Sequence, residues 1–166
     1  GRGEWELQAE VEYVFKRGGA KAPGYTTIVG SGPNACILHY VQNARRMEAG
    51  ELVLVDAGAE VGYYTGDITR TWPVSGTFTG PQREIYDLVL RSQQEVIAMS
   101  KPGVPWTALH EKAVEVLTQG MVDRGILAGP VPKAIEEKTF RAWYMHSTGH
   151  WLGIDVHDVG SYYDAP

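Results

Sequence analysis

The stretch LVLVDAGAEVGYYTGDITRTWPV, residues 52–74, predicts two antiparallel strands joined by a turn, with one aspartate on each strand. Residues 52–58 form a continuous apolar run that ends in an acid and a glycine, and this pattern predicts a strand buried on both faces. Residues 62–74 alternate well enough to form the returning strand. The pair is therefore the predicted centre of the fold.

The positions of Asp56 and Asp67 predict two facing carboxylates. With a two-residue turn at Val61-Gly62 the aspartates are cross-strand partners, whose Cβ atoms lie about 4.5–5.5 Å apart. Carboxylates this close repel unless a proton or a cation lies between them, and a pair of metals about 3.5–4 Å apart fits that space. Two alternatives stay open: Val61 disfavours the positive φ of a tight turn, so a longer loop can shift the register, and each aspartate can be a turn or capping residue beside its glycine.

The segments on either side of this hairpin predict an α+β fold. Apolar residues at helical spacing predict helices over residues 3–17, 80–100 and 107–123. Short apolar runs around a GSGPN loop predict strands over residues 26–30 and 35–40. A chain of 166 residues suits one domain, so the whole chain is expected to form a single domain.

Composition excludes several classes of protein. The net charge is −5, with acidic and basic residues interleaved, so the chain lacks the basic tracts typical of nucleic-acid or membrane-surface binding. Cys36 is the only cysteine, which rules out an internal disulfide and suits a reducing compartment. No apolar run approaches the ~20 residues that cross a bilayer, and the N-terminus lacks the apolar core of a signal peptide. A cytoplasmic location is therefore expected.

The segment MHSTGHWLGIDVHDVG, residues 145–160, holds three of the five histidines, namely His146, His150 and His157. His146 and His150 have the i, i+4 spacing of the zincin helix, but a serine replaces the glutamate that should follow the first histidine. The alternation of WLGIDVH predicts a strand over residues 151–157. The cluster predicts a metal or acid–base centre, although the ordinary alternative for each histidine is a hydrogen-bonded, partly buried side chain.

His39 is a fourth candidate, because it ends the predicted strand over residues 35–40, where a polar side chain needs a partner. The serine-hydrolase elbow G-x-S-x-G and the phosphate-binding G-x-x-x-x-G-K-[ST] do not occur in the sequence. The residues by themselves therefore indicate a metal centre or an acid–base centre and leave the choice open.

The order of the motifs TIVGSG, CILHY, LVLVDAG, GDITRTWPVSG, QREIYDLVL and HSTGHWLGIDVHDVG resembles the Xaa-Pro aminopeptidases (aminopeptidase P), which are pita-bread metallopeptidases. The resemblance covers nearly the whole chain, from about residue 25 to residue 160. It implies the α+β pita-bread fold that methionine aminopeptidase, prolidase and creatinase share. It also implies hydrolysis of the bond between the N-terminal residue and a following proline, by a hydroxide that bridges two metals.

The resemblance assigns a role to each candidate residue. Asp56 resembles the first metal-binding aspartate, Asp67 the aspartate that bridges both metals, and His150 the histidine ligand of the other metal. The residues that resemble the histidines holding the substrate and stabilising the tetrahedral intermediate are His39, His146 and His157. An oxygen-rich ligand set with one nitrogen favours two divalent ions, Mn²⁺ first, with Co²⁺, Fe²⁺ and Zn²⁺ as alternatives. The implied partners are peptides with proline in the second position, and the parent enzyme is expected to be a homo-oligomer.

The chain departs from the family pattern in its ligand set. The family site has five protein ligands, and two of them are glutamates on strands beyond the last histidine, which residues 1–166 do not supply. The expectation is therefore a catalytic domain truncated at the C-terminus, with little activity by itself. Two alternatives stay open: a pita-bread protein that binds peptides without catalysis, and a prolidase that cleaves only dipeptides.

Overall fold

The computed structural model describes residues 1–162, which divide into two compact units. Unit 1 comprises residues 1–79 and 151–160, and unit 2 comprises residues 80–150 together with 161 and 162. The expectation of a single domain over residues 1–166 stays a prediction, and its last four residues lie outside the described chain.

Unit 1 is built from one helix and two small antiparallel sheets. One sheet has the strand order β2-β3-β6 and the other the order β1-β4-β5. The elements are α1 (Glu4–Arg17), β1 (Ala22–Pro23), β2 (Ile28–Ser31), a 3₁₀ helix (Gly32–Cys36), β3 (Leu52–Ala57), β4 (Ala59–Val61), β5 (Tyr64–Thr65) and β6 (Ile68–Pro73).

The core of unit 1 lies between α1 and the β2-β3-β6 sheet. Leu7, Val11 and Phe15 of α1 pack against a buried cluster at this sheet. The cluster consists of Val29, Met47, Val53, Val55 and Ala57. The expectation that β3 is buried on both faces is wrong, because its alternate residues Leu52, Leu54 and Asp56 are only half-buried. The helix covers one face of the strand, and the Asp56 side chain lies on the other.

The hairpin register differs by two residues from the expected one. Asp56 pairs with Thr69 rather than with Asp67. The turn residues are Gly62 and Tyr63, because Val61 pairs with Tyr64. Gly62 has φ 58° and Tyr63 has φ 73°, as a two-residue type I′ turn requires. A β-branched valine disfavours positive φ, and this preference shifts the turn one residue towards the C-terminus.

Gly58 marks the point where both strands of the hairpin leave one sheet and enter the other. A Cβ atom at Gly58 would lie 1.6 Å from the carbonyl oxygen of Gly66, so no other residue fits this crossing without moving the backbone. We expect Gly58→Ala to lower the free energy of unfolding by about 1–3 kcal/mol, the usual cost of overpacking, as measured by urea denaturation.

Gly66→Ala is the matched control for this substitution. A Cβ atom at Gly66 would meet nothing closer than 3.8 Å, so this variant should keep wild-type stability or gain a little. Equal losses in the two variants would show that the close approach of the backbones at Gly58 does not limit stability.

The expected strand over residues 35–40 is wrong. Residues 32–36 form the 3₁₀ helix, and residues 37–40 have no regular secondary structure. Gly32 has φ 51°, and Pro33 has no N–H to donate to a neighbouring strand, so the extended chain ends at Ser31. His39 is exposed, with φ 55°, rather than at the end of a buried strand.

Unit 2 is helical. It contains α2 (Gly80–Met99), α3 (Trp106–Asp123), α4 (Val131–Glu136) and a 3₁₀ helix (Thr139–Ala142), which confirms the two long predicted helices. Its buried cluster consists of Leu88, Val114, Val116, Met121 and Phe140. A Cβ atom at Gly120 would lie 2.2 Å from a methyl group of Leu88, so this glycine allows α2 and α3 to pack closely. Over residues 1–162, no helix is long and apolar enough to cross a bilayer.

Candidate active site

The hairpin in unit 1 brings Asp56 and Asp67 to one tyrosine hydroxyl. Asp56 lies near the end of β3, and Asp67 directly precedes β6 on the returning strand. The Tyr25 hydroxyl donates a hydrogen bond to Asp56 Oδ1 and lies 3.2 Å from Asp67 Oδ1. The two carboxylates therefore converge although they are not direct cross-strand partners.

Tyr25 keeps its proton in this position. Burial raises the pKa of Tyr25, and the hydrogen bond to Asp56 and the negative charge of both aspartates raise it further. A phenolate beside two carboxylates would add a third negative charge, so the hydroxyl acts as a hydrogen-bond donor. A neutral hydroxyl removes no charge from either carboxylate, so the negative charge that raises the pKa of Tyr25 stays concentrated at this point.

The aspartate pair fits a hard divalent cation. Carboxylate oxygens are the ligands that Mg²⁺ and Mn²⁺ prefer, and two carboxylates that share one hydroxyl repel each other unless a cation lies between them. Within the described residues of unit 1, no third Asp, Glu, His or Cys joins the pair to form a metal-binding group. A cation bound here would complete its shell with water or with donors from outside this unit.

Unit 1 also brings together two of the candidate histidines, His39 and His157. Their ring centroids lie 6.0 Å apart, with the ring planes tilted by 47°. Both side chains are exposed. Two imidazoles at this spacing can contact opposite sides of one carbonyl or carboxylate group.

The expected strand over residues 151–157 is wrong, since residues 151–152 have no regular secondary structure and residues 153–157 are bends. An alternating sequence becomes a strand only where a neighbouring strand supplies a ladder of hydrogen bonds. Here Thr65 reaches the segment at one point, where its N–H and its hydroxyl both donate to the Gly153 carbonyl oxygen, at 2.8 and 3.0 Å. These two hydrogen bonds connect the segment that carries His157 to the tip of the hairpin that carries the two aspartates.

The other two candidate histidines lie in unit 2. His150 is half-buried and His146 is exposed. His146 Nδ1 lies 2.8 Å from the Ser147 carbonyl oxygen, which can only accept a hydrogen bond. Nδ1 therefore carries a proton, and Nε2 is the ring nitrogen that can exchange a proton with a ligand. The His146 ring also makes an edge contact with Tyr144, at a centroid distance of 4.9 Å.

A hydroxyl network supports Tyr144 beneath His146. The Thr148 hydroxyl lies 2.7 Å from the Tyr144 hydroxyl and 2.9 Å from His110 Nδ1. Burial raises the pKa of Tyr144, so this side chain is a neutral donor or acceptor in the network. His110 on α3 is thus part of the support of the His146 segment within unit 2.

The sequence analysis missed Glu4, which lies in the first turn of α1 and is completely buried. Its Oε1 accepts hydrogen bonds from the Ser31 N–H and hydroxyl, both at 2.7 Å, and from Asn34 at 3.3 Å. Its Oε2 accepts from the Tyr40 hydroxyl at 2.8 Å and from the Arg45 N–H at 2.9 Å. A detectable signal existed, because Glu4 continues the apolar stripe of Leu7 and its neighbours at helical spacing.

Glu4 is held in its ionised form. Burial raises the pKa of Glu4, but the hydrogen bonds from Arg45, Ser31 and Tyr40 together outweigh burial and place the pKa below its usual value. The Arg45 guanidinium stands nearby in a two-point ion pair with Glu51, at 2.5 and 2.7 Å. The ionised carboxylate therefore holds the ends of the 31–45 segment against α1.

Comparisons of the sequence with a family model and with individual proteins identify the same group of relatives. The sequence matches metallopeptidase family M24 over residues 1–166. It is 50% identical to the Xaa-Pro aminopeptidase of Haemophilus influenzae over 161 residues, which are 97% of this chain and 37% of that protein. The chain thus spans little more than a third of the length of this relative.

Solved structures give the same relationship for the fold. The Pseudomonas aeruginosa aminopeptidase PepP superposes with a TM-score of 0.97 at 48% identity, over 99% of this chain and 37% of that one. A zinc-substituted Escherichia coli aminopeptidase P in complex with product superposes with a TM-score of 0.96 at 48% identity, over 98% and 37%. These matches confirm the expected α+β pita-bread fold. The chain belongs to metallopeptidase family M24.

Proposed function

We propose that these residues serve a metal-dependent aminopeptidase that hydrolyses the bond between an N-terminal residue and a following proline. The observation that carries this proposal is the convergence of Asp56 and Asp67 on the Tyr25 hydroxyl. The 50% identity to a bacterial Xaa-Pro aminopeptidase supports the same activity. The proposed substrates are peptides with proline in the second position.

The proposed cation ligands are Asp56, Asp67 and His150, with Asp67 shared between two divalent ions. The carboxylate-rich donor set favours Mn²⁺, with Co²⁺, Fe²⁺ and Zn²⁺ as alternatives. When bound by these residues, such ions would lower the pKa of a water molecule and polarise the carbonyl group of the substrate. Tyr25 orients Asp56 through its hydrogen bond, and Gly58 permits the backbone crossing that brings Asp67 to the same hydroxyl.

The proposed substrate-binding residues are His39, His146 and His157. His39 and His157 can hold the substrate carbonyl group between their rings and donate to the oxygen as negative charge develops. His146 Nδ1 faces the Ser147 carbonyl oxygen, so Nε2 is the ring nitrogen that can exchange a proton with the substrate amine or with water.

The test is a peptidase assay on the protein as its gene encodes it, with added Mn²⁺. An Xaa-Pro-Xaa tripeptide should release its first residue, and the matched Xaa-Ala-Xaa tripeptide should not. Absence of proline-dependent release would overturn the proposal in favour of a peptide-binding role. Cleavage of an Xaa-Pro dipeptide with no cleavage of the tripeptide would identify a prolidase instead.

The remaining proposals concern the setting of this activity. Residues 1–166 alone should turn over little substrate, because the two glutamate ligands that the family implies are not among them. A homo-oligomer is proposed from the family resemblance, and a cytoplasmic location from the single cysteine.

Tyr25→Phe should weaken metal binding without removing a metal ligand. The substitution deletes the hydroxyl that orients Asp56. Loss of a hydrogen-bond partner of a metal ligand typically lowers metal affinity or activity by about 10–100-fold. Titration of the metal-free protein with Mn²⁺ measures the change. Tyr13→Phe is the control, because Tyr13 is exposed on α1 and its variant should bind Mn²⁺ as the wild type does. Equal affinities in all three proteins would contradict the role given to Tyr25.

A further inference from the structure

The exposed loop that carries His39 contains little that could fix its position. Residues 36–39 are all exposed, and the chain there has no regular secondary structure after the 3₁₀ helix ends at Cys36. His39 has φ 55°, a left-handed conformation that is unfavourable for a residue other than glycine. A strained residue in an exposed loop keeps its conformation only if neighbouring residues hold it there.

The residue that follows His39 supplies this restraint. Tyr40 is buried, and its hydroxyl donates to Glu4 Oε2 at 2.8 Å. The same hydroxyl accepts from Asn34 at 2.9 Å and from the Ala44 N–H at 3.2 Å. Tyr40 thereby ties together the beginning and the end of the loop.

Glu4 and Asn43 fasten the C-terminal side of the loop to the rest of unit 1. Glu4 accepts from the Arg45 N–H at 2.9 Å. The Asn43 side chain accepts from the Val29 N–H of β2 at 2.9 Å and donates to the carbonyl oxygen of Thr27, the residue before β2, at 2.8 Å. Of these anchors, the Glu4 carboxylate is the one that contacts Tyr40 beside His39.

We propose that Glu4 is a positioning residue for His39: its buried carboxylate holds Tyr40 and thereby keeps the His39 imidazole beside that of His157. The role of His39 in this statement rests on the proposed peptidase function. The holding of the loop by Glu4 does not depend on that function, and it can be measured separately. If the carboxylate is lost, Tyr40 is released, the His39 backbone relaxes to negative φ, and the imidazole moves away from its partner.

Two hydroxyl deletions on the same carboxylate separate positioning from general stability. Tyr40→Phe removes the hydroxyl beside His39, and Ser31→Ala removes a hydroxyl that contacts Glu4 from β2. Glu4→Gln is the third variant and tests the charge itself. All three variants are made in the protein as its gene encodes it. If the Glu4→Gln protein folds poorly, Tyr40→Phe still tests the positioning role.

The first measurement is hydrogen exchange of the amides in residues 36–42, followed by mass spectrometry. Tyr40→Phe and Glu4→Gln should exchange faster there, and Ser31→Ala should exchange as the wild type does. This measurement needs no substrate, so it tests the holding of the loop by Glu4 independently of catalysis. If the wild-type protein does not hydrolyse Xaa-Pro peptides, the proposed function is overturned, but the exchange rates still test the role of Glu4. Unchanged exchange in Tyr40→Phe and in Glu4→Gln would overturn the positioning role.

The second measurement is a double-mutant cycle that combines Tyr40→Phe with His39→Ala. Tyr40→Phe should lower kcat/KM for the Xaa-Pro-Xaa peptide by about 10- to 100-fold in the wild-type background, as expected for a displaced substrate-binding group. The same substitution should change kcat/KM little in the His39→Ala background, because its effect passes through His39. Equal losses in both backgrounds would show a general structural effect and overturn the proposal.

Discussion

In the protein as its gene encodes it, Asp67→Asn is expected to abolish the proposed Xaa-Pro hydrolysis. The loss in kcat/KM should exceed the ~100-fold that follows from removing a hydrogen-bond partner of a metal ligand. Asparagine has nearly the same shape as aspartate but no charge, and its amide nitrogen cannot bind a cation. The Tyr25 hydroxyl would still contact Asp56, so the hairpin should keep its conformation. The loss would therefore report the missing negative charge rather than a misfolded site.

Asp87→Asn is the matched control for this substitution. Asp87 is an exposed aspartate on α2 that pairs with Arg83 at 2.8 Å. The same chemical change there should leave kcat/KM unchanged, since an exposed ion pair contributes little to stability. The metal content of each protein, measured after equilibrium dialysis against Mn²⁺, shows whether the loss comes from the cation. Wild-type turnover in Asp67→Asn would contradict the assignment of Asp67 as the shared ligand.

Glu4→Ala is expected to lower the free energy of unfolding by about 3 kcal/mol or more. The substitution removes the acceptor of the buried Ser31 N–H and of the half-buried Arg45 N–H, and a buried N–H group without an acceptor costs about 1–3 kcal/mol. Urea denaturation at neutral pH measures the change. Glu10→Ala is the control on the same helix, because Glu10 is exposed and lies 3.7 Å from the exposed Arg2. Equal effects of the two substitutions would contradict the central role of Glu4.

The effect of Glu4 should depend on pH with a definite sign. The pKa of Glu4 is lowered in the folded protein from its usual value of 4.5, so the unfolded chain binds the proton more readily. The stabilisation by Glu4 is therefore complete above about pH 4.5 and is lost as the pH falls towards the folded-state pKa. The difference in unfolding free energy between wild type and Glu4→Ala should shrink over that range. A difference that stays constant there would contradict the ionised state of Glu4.

The aspartate hairpin shows how far local patterns reach. Apolar continuity and alternation predicted both strands, and Asp56 lies on β3 as expected, whereas Asp67 directly precedes β6. They did not fix the register, because the register depends on which residues adopt positive φ in the turn. Gly62 and Tyr63 do so, and Asp56 therefore pairs with Thr69. The two carboxylates nevertheless converge, because the backbone crossing at Gly58 and Gly66 brings Asp67 to the Tyr25 hydroxyl.

For the histidines, the sequence identified candidate residues but not the local structure around them. Their clustering in the sequence and the family resemblance identified them as candidates, but the strands predicted around His39 and over residues 151–157 are wrong. Alternation cannot show whether a neighbouring strand is present to complete the hydrogen bonds. The contact of His39 with His157 joins two segments that are far apart in the sequence, so no local pattern could predict it.

The sequence by itself determined the long helices, the strand that carries Asp56 and the family, and it predicted Asp56, Asp67 and His150 as metal ligands. These features depend on side-chain periods of two or 3.6 residues and on short motifs, all of which are local. Only the tertiary structure decided the burial of Glu4, the shared Tyr25 hydroxyl and the placement of His39. The physical reason is separation along the chain: Glu4 reaches Ser31 across 27 positions and Arg45 across 41, and Tyr25 reaches Asp67 across 42. Such contacts form only when the packed core brings the segments together.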